Sequence, residues 1–83
     1  MNVGMLWLDD DAKRPLEEKV TRAVEYYEQK YGQLPELCLV NPAMLTQKRE
    51  MGPIEIRPLR TVLLHHFWLG MKTSLITDTS HEN

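Results

Sequence analysis

Apolar positions recur along this chain with different rhythms, and each rhythm predicts an element. Residues 3–8, VGMLWL, form a short apolar run closed at once by the acidic turn DDDAKR, as a buried strand would be. In PLEEKVTRAVEYYEQKYG (15–32), Leu16, Val20, Ala23, Val24, Tyr27 and Tyr31 fall on one stripe of a helix. Pro15 suits the first helical position, where an N–H has no intrahelical partner. Glu17 and Glu18 in the first turn and Lys30 in the last complement the helix dipole. Gly32 can take the left-handed terminal conformation, and Pro35 bars resumption. LCLV (37–40) is a second short apolar strand, ended by Asn41-Pro42. The stretch PAMLTQKRE from Pro42 onward predicts one or two helical turns, and Met51-Gly52-Pro53 a turn. IEIR (54–57) alternates apolar and charged residues, as a strand with one buried face should. HFWLGM (66–71) predicts a last strand, reached through RPLRTVLL.

Strand, long helix and strand within about forty residues make a βαβ unit, with strands one and two predicted to be parallel neighbours. The expected fold is therefore α/β (α+β): a two-layer sandwich in the order β-α-β-short α-β-β. Its mixed four-stranded sheet would carry the 15–31 helix on one face. Residues 1–72 form a single small domain in this reading, and the polar, aperiodic segment 73–83 a flexible tail.

Alternation then raises a problem of coverage. Phe67, Leu69 and Met71 point to one side of the last strand, His66, Trp68 and Gly70 to the other. Val3, Met5 and Trp7 oppose Gly4, Leu6 and Leu8 in the same way. Both strands are apolar on two faces, whereas one long helix covers only one. The expected interaction face, carrying Met5, Trp7, His66 and Trp68, is left to be covered by Val62–Leu64 and the tail, or by another chain.

Composition narrows the classes of function. Eighty-three residues, 42% hydrophobic and 27% charged, with net charge −2, describe an ordinary small globular domain. Such a domain buries only roughly 60% of its unfolded surface, so one uncovered apolar face matters. The single cysteine, Cys38, precludes an internal disulfide and fits a reducing compartment. The 3–8 run is too short for a signal-peptide core or a membrane span, so a cytoplasmic protein without membrane association is expected.

Candidate chemistry is sparse. His65 and His66 are adjacent, so on a strand they would face opposite ways and not share one metal; Cys38 lacks a partner cysteine. Asp9, Asp10 and Asp11 follow the first strand, where open α/β sheets bind ligands. With His66 they make the candidate metal set of a small hydrolase or phosphoryl-transfer domain, the alternative reading. Acidic residues are equally good turn formers. Glycine-rich phosphate loops and serine nucleophile motifs are absent, and no cofactor is implied. Lys48, Arg49, Arg57, Arg60 and Lys72 oppose Glu50 and Glu55 in residues 43–72, against five basic and eight acidic residues in 1–42. Lys48, Arg49, Arg57 and Arg60, with Trp68 for stacking, are the candidate set of a single-stranded nucleic-acid binder, a further alternative. No nucleophile, base and oxyanion donors fall together. The favoured function is a non-enzymatic interaction or self-assembly module, its partner a second copy in a homodimer or another protein.

The order helix, LCLVNP, AML, GPIEI and HFWLGM resembles the axial domain of the tailed-phage capsid fold that encapsulin shells share. The matching residues are Asn41, Pro42, Gly52, Pro53, Ile54 and Gly70, within 16–72. The spine helix, extended loop and N-terminal arm of that fold find no counterpart here. The resemblance thus implies topology and a tendency to assemble rather than a shell.

Overall fold

A computed structural model describes residues 4–72; Val3 and the 73–83 segment expected to be a flexible tail lie outside the described residues. The elements run β1 (Gly4–Leu8), α1 (Leu16–Tyr31), β2 (Leu37–Val40), β3 (Arg49–Met51), β4 (Ile54–Pro58) and β5 (His66–Gly70). One helix and a mixed sheet make a small α+β domain.

The helix follows its apolar stripe. Val20, Ala23, Val24 and Tyr27 are buried, and Leu16 and Tyr31 pack at the ends of the same face. Pro15 stands just before the first turn as the N-cap residue and accepts the amide N–H of Lys19 at 3.0 Å. Gly32 ends the helix at φ 75° and donates its N–H to the Glu28 carbonyl, a conformation that a Cβ would disfavour.

The sheet differs from expectation in three respects. It has five strands rather than four, in the order β1-β5-β2-β4-β3. Residues 42–48 form turns and bends instead of a short helix and lead into β3, which pairs antiparallel with β4. Pro42, Gly52 and Pro53 punctuate the segment, and Met44 and Leu45 dip into the core without a helical repeat. Third, β1 and β2 are not neighbours. Strand β5 lies between them, antiparallel to both, while β2 pairs in parallel with β4. The β1-α1-β2 unit is thus split, with its gap filled by the last strand of the domain.

The register sorts side chains between the layers. Met5 and Trp7 on β1, Cys38 and Val40 on β2, Ile54 and Ile56 on β4, and Phe67 and Leu69 on β5 all face α1 and form the main core. The central strand β2 is buried at every position because its other side chains, Leu37 and Leu39, are covered from the opposite face. That opposite face, the one α1 does not cover, is the outer face.

Candidate interaction face

The outer face is built from alternate residues of three strands. Gly4, Leu6 and Leu8 of β1 lie opposite Gly70, Trp68 and His66 of β5, and Leu37 and Leu39 of β2 continue the rows beyond. Trp68 lies flat across two of these positions. A Cβ at Gly4 would come within 2.6 Å of Trp68 Nε1, and one at Gly70 within 2.8 Å of Cζ3. Neither glycine has positive φ. They are small here to make room for an indole, not to relieve the backbone.

The β4–β5 loop covers part of this face. Val62 is buried against Leu37 and Leu39, with Trp68 alongside. Asn41, at the end of β2, fixes the loop. Its Nδ2 donates to the Val62 carbonyl at 2.9 Å, and its Oδ1 accepts the Ala43 N–H at 2.8 Å. The Asn-Pro turn read from sequence therefore holds a cover in place. Beyond Val62 the described residues of the loop cover less. Leu6 and Leu8 are 63% and 57% exposed, and Leu63 and Leu64, in the loop before His66, are 69% and 47% exposed. His66 is half-buried between these groups, with Nδ1 2.9 Å from the Leu64 carbonyl. A proton on Nδ1 makes that contact a hydrogen bond.

The expected grouping of Met5 and Trp7 with Trp68 is corrected by the register. Trp7 pairs with Phe67, and both turn toward α1. Its ring packs on Tyr26 with centroids 4.4 Å apart, and Met5 lies in the same core. Among the four residues assigned to the face, His66 and Trp68 lie on it. Leu6 and Leu8, which the sequence reading placed opposite Trp7, belong with them. The cue available was Gly4: a glycine on the β1 side that pairs with Gly70 leaves space for one large ring.

The acidic turn after β1 closes on itself. Both Asp9 carboxylate oxygens accept from Arg14 Nη1, at 3.0 and 2.9 Å, and Oδ1 also accepts the Asp11 N–H at 3.2 Å. Arg14 further reaches Asp11 and Glu18, each at 3.4 Å. Burial pushes the Asp9 carboxyl up, but the Asp11 N–H and the Arg14 guanidinium outweigh it and hold the group below its ordinary value. A guanidinium thus stands where the candidate metal ion would need Asp9 and Asp11. Among the described residues no three His, Cys, Asp or Glu side chains gather in a way that could hold a metal, and that includes Asp9, Asp10, Asp11 and His66. Asp9 also donates its N–H to the His65 carbonyl at 3.0 Å, and His65 itself has φ 67°. That left-handed residue lets the chain turn from the loop into β5.

The candidate nucleic-acid residues divide between ion pairs and open loops. Arg49 pairs with Glu17 of α1, and Arg57 with Glu55. Lys48 and Arg60 stand exposed in separate loops. Glu55 is buried on the outer face beside Leu37 and also meets Lys72 at 3.0 Å. The hydrogen bonds from Arg57 and Lys72 lower its pKa to about 2 against the opposing effect of burial. The outer face is therefore apolar on β1, β5 and β2 and ion-paired on β4. Cys38 lies in the core, where burial pushes the thiol up to about 12. Among the described residues no helix is long and apolar enough to cross a membrane.

No family model, curated protein or solved structure matches this chain. The functional reading rests on its own residues.

Proposed function

We propose that this chain is a non-enzymatic interaction module that associates with a second copy of itself through the outer face near β1. The observation that carries the reading is the unshielded pair Leu6 and Leu8 beside Trp68, with Leu63 and Leu64 at the margin. Contiguous apolar patches of several hundred Å² are rare on monomers and mark contact surfaces. Full burial of each leucine is worth roughly 1.5–3 kcal/mol, large beside the stability of a domain this size. His66 serves in this reading as a polar group at the rim. The hydrolase alternative has less support, because the Asp9 and Asp11 carboxylates are taken by Arg14.

Acrylamide quenching of a Trp7→Phe variant isolates the Trp68 signal. Shielding that increases as protein is raised from micromolar to millimolar is expected. A quenching constant that stays high and unchanged over that range would overturn the proposal.

A further inference from the structure

Of the two edge strands among the described residues, β3 carries charges and β1 does not. Strand β3 is three residues long and carries Arg49 and Glu50, charges of the kind that keep an edge from pairing. Strand β1, GMLWL, has five residues, no charge and no proline. No strand lies along its outer side among the described residues.

The hydrogen-bond alternation tells which residues meet that side. Asp9 N–H binds the His65 carbonyl, one step beyond the Leu8–His66 pair. In an antiparallel ladder, bonded and non-bonded pairs alternate. Trp7 and Met5 therefore direct their main chain toward β5, whereas Gly4, Leu6 and Leu8 direct theirs to the open edge. Tyr31 Oη, 3.4 Å from the Gly4 carbonyl, approaches it from outside the ladder, consistent with that phase. The residues with outward main chain are thus the same ones whose side chains lie on the outer face.

We infer that two copies join by antiparallel pairing of β1 with β1 about a two-fold axis at Leu6, forming one continuous ten-stranded sheet. This rests on the self-association proposed above and specifies its geometry. Leu6 meets the partner copy's Leu6, each N–H bonding the other's carbonyl, and Leu8 meets the partner copy's Gly4. The side-chain fit is self-complementary. Gly4 offers no side chain of its own, and the space above it holds the Trp68 indole. An exposed leucine at position 8 of one copy therefore lies over the ring of the other, twice by symmetry. A foreign strand would need a large apolar residue two positions beyond the one that meets Leu6; a second copy supplies it with Leu8.

The proposed contact is small. Five residues of strand with Leu6, Leu8 and the edge of Trp68 fall below the about 800 Å² per partner of a standard interface. A dimer that exchanges with monomer at micromolar concentration is expected.

The test compares the full chain with Leu6→Pro, Leu6→Lys and Leu64→Lys by light scattering after size exclusion, with folding checked by circular dichroism. Proline at position 6 removes an outward N–H and the leucine side chain but no bond to β5, and lysine keeps the N–H while setting like charges opposite each other. Each position-6 variant is expected to weaken association more than about tenfold while remaining folded; Leu64→Lys, at the margin of the face, should weaken it by a smaller factor than either. Amide exchange at Leu6 and Leu8 should slow as concentration rises. Dimers that survive both position-6 changes but are lost in Leu64→Lys would overturn edge pairing and leave face-mediated association standing. A parent chain monomeric at all concentrations would overturn both. Protection of the Leu6 and Leu8 amides independent of concentration would assign the edge to this chain's own residues and also overturn the inference.

Discussion

Replacing Gly70 with alanine should change the sign of its effect according to what stands at position 68. Gly70 lies in a strand, paired with Gly4 on one side and Leu37 on the other, and its φ is not positive. Alanine is therefore conformationally acceptable, and by reducing the freedom of the unfolded chain it should stabilise by about 0.5–1 kcal/mol. The added methyl, however, falls within 2.8 Å of Trp68 Cζ3. The indole must lift from the sheet, and overpacking of this kind costs about 1–3 kcal/mol. In the parent, Gly70→Ala should destabilise; in a Trp68→Ala background it should stabilise. The coupling between the two changes is then about 2 kcal/mol, outside what independent sites show. Urea unfolding followed by circular dichroism at submicromolar protein, below self-association, measures all four corners of the cycle. If Gly70→Ala has the same sign and size in both backgrounds, Trp68 does not rest on the glycines and this description of the outer face is wrong.

Other expectations are more local. Phe67→Ala, at a fully buried site between α1 and the sheet, should cost about 3–5 kcal/mol; a denaturation midpoint near that of the parent would contradict the core assignment. Glu55 has a folded pKa of about 2, below its ordinary value of 4.5, so its stabilising contribution is complete above about pH 4.5 and disappears as pH falls toward 2. Asp9, also lowered, acts in the same direction. Thermal midpoints should fall through this window, less steeply in Glu55→Gln than in the parent, and parallel curves would refute the assignment. Cys38, buried with its thiol pushed up to about 12, should resist a thiol reagent at pH 8 until urea unfolds the chain; rapid native labelling would contradict its position. Trp68→Ala should weaken self-association by a larger factor than it lowers monomer stability, as sedimentation and urea titration together would determine.

The sequence made local features legible and non-local ones only partly so. The α1 stripe, its acidic start and its Gly32 end could all be read because period and cap lie within one segment. Sidedness was legible within each strand: Phe67 and Leu69 oppose His66 and Trp68 as period two requires. What alternation could not supply was the match of sides between strands. Alternation alone allows Trp7 to share a face with Trp68, yet the Trp7–Phe67 register puts it beneath Tyr26. The split of β1-α1-β2 by β5 was hidden for a related reason, since a pairing between residues 4–8 and 66–70 leaves no mark on nearby spacing. Strand β3 escaped because Arg49-Glu50-Met51 is short and mostly charged, a composition suited to an edge and poor in strand propensity. The turn at Met51-Gly52-Pro53 was the available signal, as a hairpin needs a strand on both sides. At the acidic turn, three aspartates suggested a metal, but Arg14, five residues after Asp9, supplies the opposing charge.

Sedimentation equilibrium of the unaltered full chain, from about 1 µM to 1 mM, tests the central claim most directly. The account predicts a weight-average mass that climbs from one chain toward two, with a micromolar midpoint. A mass that remains that of a single chain at 1 mM would contradict it.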